Sequence, residues 1–174
     1  MTVGLVCYSR TGVTEAAARR AEELLEEAGH GVRWGPLRPR VDLPYPLWLA
    51  LSFLPGSRFP LAPPLPDPAG WDACLLALPK WTFSCPPVNA YLARRPPLPP
   101  TAVLVTCGGW DQERYLAQVE KHLARRGVEV LGGLALKRRS LEGGRTPPAL
   151  AEFVRRCFPA ADARREEAGT TPSR

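Results

Sequence analysis

Several features that would announce a function are missing from this chain. No C-x-x-C pair occurs, and the two histidines, His30 and His122, stand in no metal-ligand spacing, so no metal site is expected. The five cysteines (Cys7, Cys74, Cys85, Cys107 and Cys157) are odd in number and widely spaced. That excludes a simple disulfide framework and fits reduced thiols in a cytoplasmic protein. No stretch approaches the roughly 20 apolar residues of a membrane span. No basic segment leads into an apolar core and cleavage site, so no secretion signal is expected. The net charge is +6, but the arginines are scattered in pairs such as Arg19-Arg20, Arg125-Arg126 and Arg155-Arg156. No basic stretch is interleaved with stacking aromatics, so nucleic-acid binding is not expected.

What is present suits one folded domain. The 174 residues are 45% hydrophobic and 23% charged. The apolar run Val3–Tyr8 stops at a hydroxyl-rich turn, and a helical pattern starts directly behind it. A strand that delivers Ser, Thr and Gly onto a helix N-terminus is a phosphate seat, because the first helical N–H groups have no internal partners. Ser9, Thr11 and Thr14 add hydroxyls, Gly12 lets the backbone approach closely, and Arg10 can add charge. The Walker pattern is absent, and only one glycine stands where a dinucleotide loop needs three. The plain alternative is a strand–turn–helix with Thr11 as N-cap.

The remaining chain alternates. A helix is expected over 13–28, with Ala17, Ala21, Leu24, Leu25 and Ala28 on one stripe, then a weak strand over Gly31–Leu37 broken by Arg33 and Gly35. Prolines punctuate 38–70 and confine any helix there to about Leu47–Leu54. That apolar piece reads first as a buried or half-buried element and second as a dimer patch. A membrane-surface anchor comes last, because the piece is short and lacks a lysine-rich flank. Further strands are expected at Ala73–Leu78, Ala102–Thr106 and Val128–Leu136, the last interrupted by Gly132-Gly133. Helices are expected over Val88–Arg95, over 112–126 behind an Asp111 cap, and behind a Thr146 cap. Leu141–Arg145 reads as a loop, Pro96–Pro100 as a break, and 159–174 as a disordered tail after a domain spanning 1–158. This order predicts an α/β fold in three layers: a doubly wound, five-stranded parallel sheet in the order 2-1-3-4-5. In such sheets ligands sit at the carboxyl ends of the strands, so the loops after strands 1, 3 and 4 should converge.

Those three loops carry a resemblance. Ser9-x-Thr11-Gly12-x-Thr14 resembles the FMN phosphate loop of the flavodoxin-like superfamily. Pro79-x-Trp81 ahead of Pro86-Pro87-Val88-Asn89 is similar to its second loop, and Thr106-Cys107-Gly108-Gly109 to its third. The resemblance spans roughly 3–158 without 38–70, and it implies FMN as cofactor. Ser9, Arg10, Thr11, Gly12, Val13 and Thr14 would hold the phosphate. Pro79, Lys80, Trp81, Thr82 and Phe83 would flank the ring, with Trp81 as the stacking residue. Thr106, Cys107, Gly108, Gly109 and Trp110 would line its polar edge, and Phe83 or Trp110 would give a second aromatic. No catalytic side chain is implied. The basic composition departs from acidic electron-shuttling flavodoxins and fits a flavin or quinone reductase relative better.

Three functions follow. One is an FMN-dependent redox protein, either enzyme or carrier, acting with a partner protein or with NAD(P)H and a quinone. Another is a cofactor-free module that associates with proteins through 47–54, with a homodimer as one outcome. The last is a phosphate-ester hydrolase using the first loop, for which Cys7 stands ahead of the turn, in the wrong place to attack.

Overall fold

The computed structural model describes residues 1–94 and 98–160. Five strands, β1 (Thr2–Cys7), β2 (Gly31–Pro36), β3 (Ala73–Pro79), β4 (Thr101–Cys107) and β5 (Val130–Lys137), form one parallel sheet ordered β2-β1-β3-β4-β5. This is the expected doubly wound order. The central strands are buried along their length because helices cover both faces. Alternating side chains of β1 split between two cores. Val3, Leu5 and Cys7 face α1 (Val13–Glu27) and α5 (Pro148–Cys157). Val6 and Tyr8 face α3 (Pro86–Arg94) and α4 (Gln112–Ala124).

Local differences from the sequence reading have physical causes. β2 is a full edge strand despite Arg33 and Gly35. Gly35 is needed there, since a Cβ would sit 2.7 Å from the Pro66 side chain. β5 continues through Gly132-Gly133 as one strand, and the expected interruption is reduced to a one-residue register shift just before Gly132; at Gly133 a Cβ would meet Leu116 of α4 at 2.7 Å. Gly12, not Thr11, is the N-cap of α1, at φ 82°, with no side-chain cap bond. Asp111 caps α4 by position only, in a left-handed conformation. Pro147 replaces Thr146 at the α5 cap, and a short 3₁₀ turn covers Arg138–Leu141. α3 begins at Pro86, because prolines are tolerated where helical N–H groups have no partner anyway. Its expected end at Arg95 and the break through Pro97 fall outside the described residues, as do 161–174 of the expected tail.

The 38–70 excursion is a built element. Its helix α2 spans Tyr45–Ser52, two residues earlier than expected, with Pro46 in its first turn. Trp48 is fully buried, with its ring against Phe59 at 4.6 Å between centroids. Ser52 accepts from the Phe83 N–H at 2.9 Å, and its hydroxyl pairs with that of Thr82 at 2.9 Å. Asn89 donates to the Ser57 carbonyl at 2.9 Å. The excursion is therefore stitched to the loop that leaves β3. Leu51 is half-buried and the other five residues of α2 are exposed, so the helix is buried along one side only and not through; its exposed side chains are considered below.

Candidate functional site

Parallel strands that end together bring their loops together. Thr14 at the start of α1 is buried, and its hydroxyl lies 2.7 Å from that of Thr106 at the end of β4. The Lys80 N–H donates to the Thr106 carbonyl at 2.7 Å. Loops from three strands are thus tied to one another across the sheet edge.

Between them lie two adjoining clefts. One, of about 240 Å³, is lined by Arg10, Thr11, Val13, Thr14, Pro79, Trp81, Thr106 and Cys107 among others. Its neighbour, of about 230 Å³, is lined by Thr82, Gly109, Trp110, Trp48 and Leu49. Tyr45, Lys80, Trp81 and Gly108 belong to both. Joined, they enter the roughly 300–1,000 Å³ range of small-molecule sites.

Most of the residues singled out from the sequence therefore converge. Three do not line the clefts. Gly12 is in the loop, and open space surrounds its Cβ position. Ser9 has its hydroxyl buried with no hydrogen-bond partner among the described residues. Phe83 turns away and meets the Phe53 ring at 6.0 Å, so it is no second wall for a ligand here. The Lys80 ammonium lies 4.3 Å over the Trp110 ring.

The excursion supplies what sequence reasoning missed. Tyr45, Trp48 and Leu49 of α2 form a further wall. Trp81 packs its edge on Tyr8 at 5.6 Å and lies 5.4 Å from Trp48. The Trp48 indole donates to Asp42 at 3.0 Å, and Asp42 is 3.6 Å from Arg10 of the first loop. Arg138, just past the carboxyl end of β5, also reaches the first cleft. Its place after a strand end was the one available signal. No periodicity marked the excursion as part of a site.

The chemistry on offer is anion binding beside an aromatic wall. The orphan donors at the α1 N-terminus and the Arg10 and Arg138 guanidinium groups favour an anion. Of the Thr14 and Thr106 hydroxyls, one proton serves their mutual bond and the other stays free for a ligand. Neither cysteine near the first loop and the cleft is an activated nucleophile. Burial pushes the Cys7 thiol up to about 12, and burial also raises Cys107 despite nearby Lys80 and Lys137. This removes the support for a cysteine-based phosphate-ester hydrolase.

A doubly wound sheet with an anion seat at its switch point defines a class of ligand-binding α/β proteins. Within it, known structures give the fold more closely. A candidate flavoprotein from Bacteroides uniformis superposes with a TM-score of 0.69 at 16% identity, over 88% of this chain and 97% of that one. A flavoprotein in complex with FMN from Lactobacillus acidophilus gives 0.58 at 16% identity, over 80% and 93%. An NAD(P)H:quinone oxidoreductase from Methanothermobacter marburgensis gives 0.51 at 18% identity, over 90% and 95%. The fold of this chain is flavodoxin-like. No family profile matches the chain. An uncharacterized protein from Archaeoglobus fulgidus is 34% identical over 99 residues, which is 57% of this chain; the match spans 65% of that relative's length.

Proposed function

We propose that the protein is an FMN-binding redox protein of the flavin or quinone reductase kind. The observation that carries this is the convergence of Thr11, Trp81 and Gly108, from three different loops, on one cleft. The residues present fit the group. The Ser9 hydroxyl is buried without a partner beside the anion seat, and Gly12 at φ 82° leaves its side of the loop open.

When bound, FMN supplies the hydride or electron chemistry itself. The chain binds and orients it. The first loop and the helix end hold the phosphate, with Arg10 and Arg138 balancing its charge. Trp81 and Tyr45 present aromatic surface to the ring, and Gly108 and Gly109 offer bare backbone to its polar edge. Lys80, held over Trp110, would keep positive charge near the ring. No side chain need transfer a proton. The domain is read as 1–158, the excursion being one wall of its site rather than a separate unit.

Absorbance of the purified protein in the flavin range, before and after adding FMN, tests the reading. Flavin bands that stay with the protein through gel filtration are expected. If they do, NADH or NADPH oxidation with a quinone separates enzyme from carrier. A colourless protein that takes up no FMN would defeat the proposal and leave the cofactor-free module.

A further inference from the structure

Eight large hydrophobic side chains are exposed among the described residues, and they gather in one place. Six are Val41, Tyr45, Leu47, Leu49, Phe53 and Leu54 on the excursion. The seventh, Phe83, contacts Phe53, and the eighth, Trp110, lines the cleft with Tyr45 and Leu49. Exposure is 59% at Leu54 and 70% at Trp110. Residues 43–57 hold no charged side chain at all. Trp48 and Ser52 are the buried residues of α2; at ~100° per residue, its exposed positions sweep more than half the circumference without a charged group. A surface helix ordinarily carries charge there, and a large exposed apolar patch marks a contact site.

Cations border the patch. The Arg10 guanidinium lies 5.7 Å over the Tyr45 ring and the Lys80 ammonium 4.3 Å over Trp110. Arg40 and Arg58 are exposed on either side of the uncharged run 43–57 in the chain. Against them stand Asp42, engaged with Arg10 and Trp48, and the exposed Asp111 and Glu113. Basic side chains that the linear segment lacks thus stand beside it in the fold, from the loops after β1 and β3.

We propose that this face docks on an anionic lipid bilayer, with α2 lying in the headgroup region. Tyr, Trp, Leu and Phe together are the side chains that settle at such an interface, and the cationic border matches anionic headgroups. A second copy of the chain matches less well. A two-fold contact would bring Arg10, Lys80 and their copies onto one interface, where the Asp42 of each protomer is already engaged by its own Arg10. Tyr45, Leu49 and Trp110 form the lip of the cleft, so docking opens the site toward lipid.

Flotation of the full chain with two vesicle types tests the docking without any cofactor. The probes are phosphatidylcholine alone and phosphatidylcholine with phosphatidylglycerol. The protein should float with the anionic vesicles and at least tenfold less with the neutral ones. Leu47→Glu with Leu54→Glu, both outward-facing and off the clefts, should abolish flotation while leaving the thermal midpoint unchanged; Phe53→Ser is a second, milder variant. The proposal is overturned if the protein ignores anionic vesicles, or if both variants float as well as the parent. It is equally overturned if sedimentation shows a dimer that the double variant splits while vesicles are not bound. Each of these outcomes is independent of whether FMN binds.

Discussion

Removing the Ser9 hydroxyl should move stability and ligand affinity in opposite directions. That oxygen is buried in the first loop with no hydrogen-bond partner among the described residues. A buried hydroxyl left unpaired costs roughly 1–3 kcal/mol. Ser9→Ala should therefore stabilise the ligand-free protein by up to that amount. For a chain of this size each kcal/mol moves the midpoint by about 2–4 °C, so a rise of several degrees is expected in a calorimetric scan. If the hydroxyl is kept for a phosphate, its bond to a charged acceptor contributes about 1.5–3 kcal/mol. Its loss weakens FMN binding by roughly 10- to 150-fold by titration calorimetry. Riboflavin, which has no phosphate, should bind both proteins equally. A Ser9→Ala protein that melts lower without ligand and binds FMN as tightly as the parent would refute the reasoning.

Other outcomes follow from the same geometry. Arg138→Ala should cost FMN affinity about 1 kcal/mol, roughly fivefold, since the guanidinium is exposed, and should leave riboflavin unaffected by calorimetry. Burial raises the Cys7, Cys74 and Cys85 thiols from 9.0 to about 12, so the fold keeps protons that the unfolded chain releases. The resulting stability is whole below about pH 9 and is lost as pH rises toward 12, at about 1.4 kcal/mol per pH unit for each thiol. Urea unfolding at about pH 8 and about pH 10 should show the decline, and equal midpoints would contradict it. Gly4→Ala should destabilise by about 1–3 kcal/mol, because a Cβ there runs into the Trp71 ring. Gly31→Ala, with open space around it, should lose far less in the same thermal scan.

The fold was legible because its signals are local. Continuous apolar runs at 73–78 and 102–106 name strands covered on both faces, and Leu116 and Leu123 mark the α4 stripe. The strand order then followed from topology, and with it the meeting of Thr11, Trp81 and Gly108. What stayed hidden depended on long-range contact. Nothing in Pro44-Tyr45-Pro46-Leu47-Trp48 says that Trp48 would insert beside Trp81 while Tyr45 stayed exposed over Arg10. Arg138 looked like one more scattered arginine until β5 carried it to the cleft. Phe83 was misplaced because a loop residue's direction depends on its partner, here Phe53. Glycines at 35 and 133 looked like strand breakers, though they are the points where Pro66 and Leu116 press closest.

The most direct test of the central claim is a titration of FMN followed by its own fluorescence. A ring held against the Trp81 indole at the cleft should be quenched and saturate at one FMN per chain, and excess inorganic phosphate should weaken the curve. Fluorescence that stays undiminished as protein is added would mean that the three loops meet around something other than a flavin.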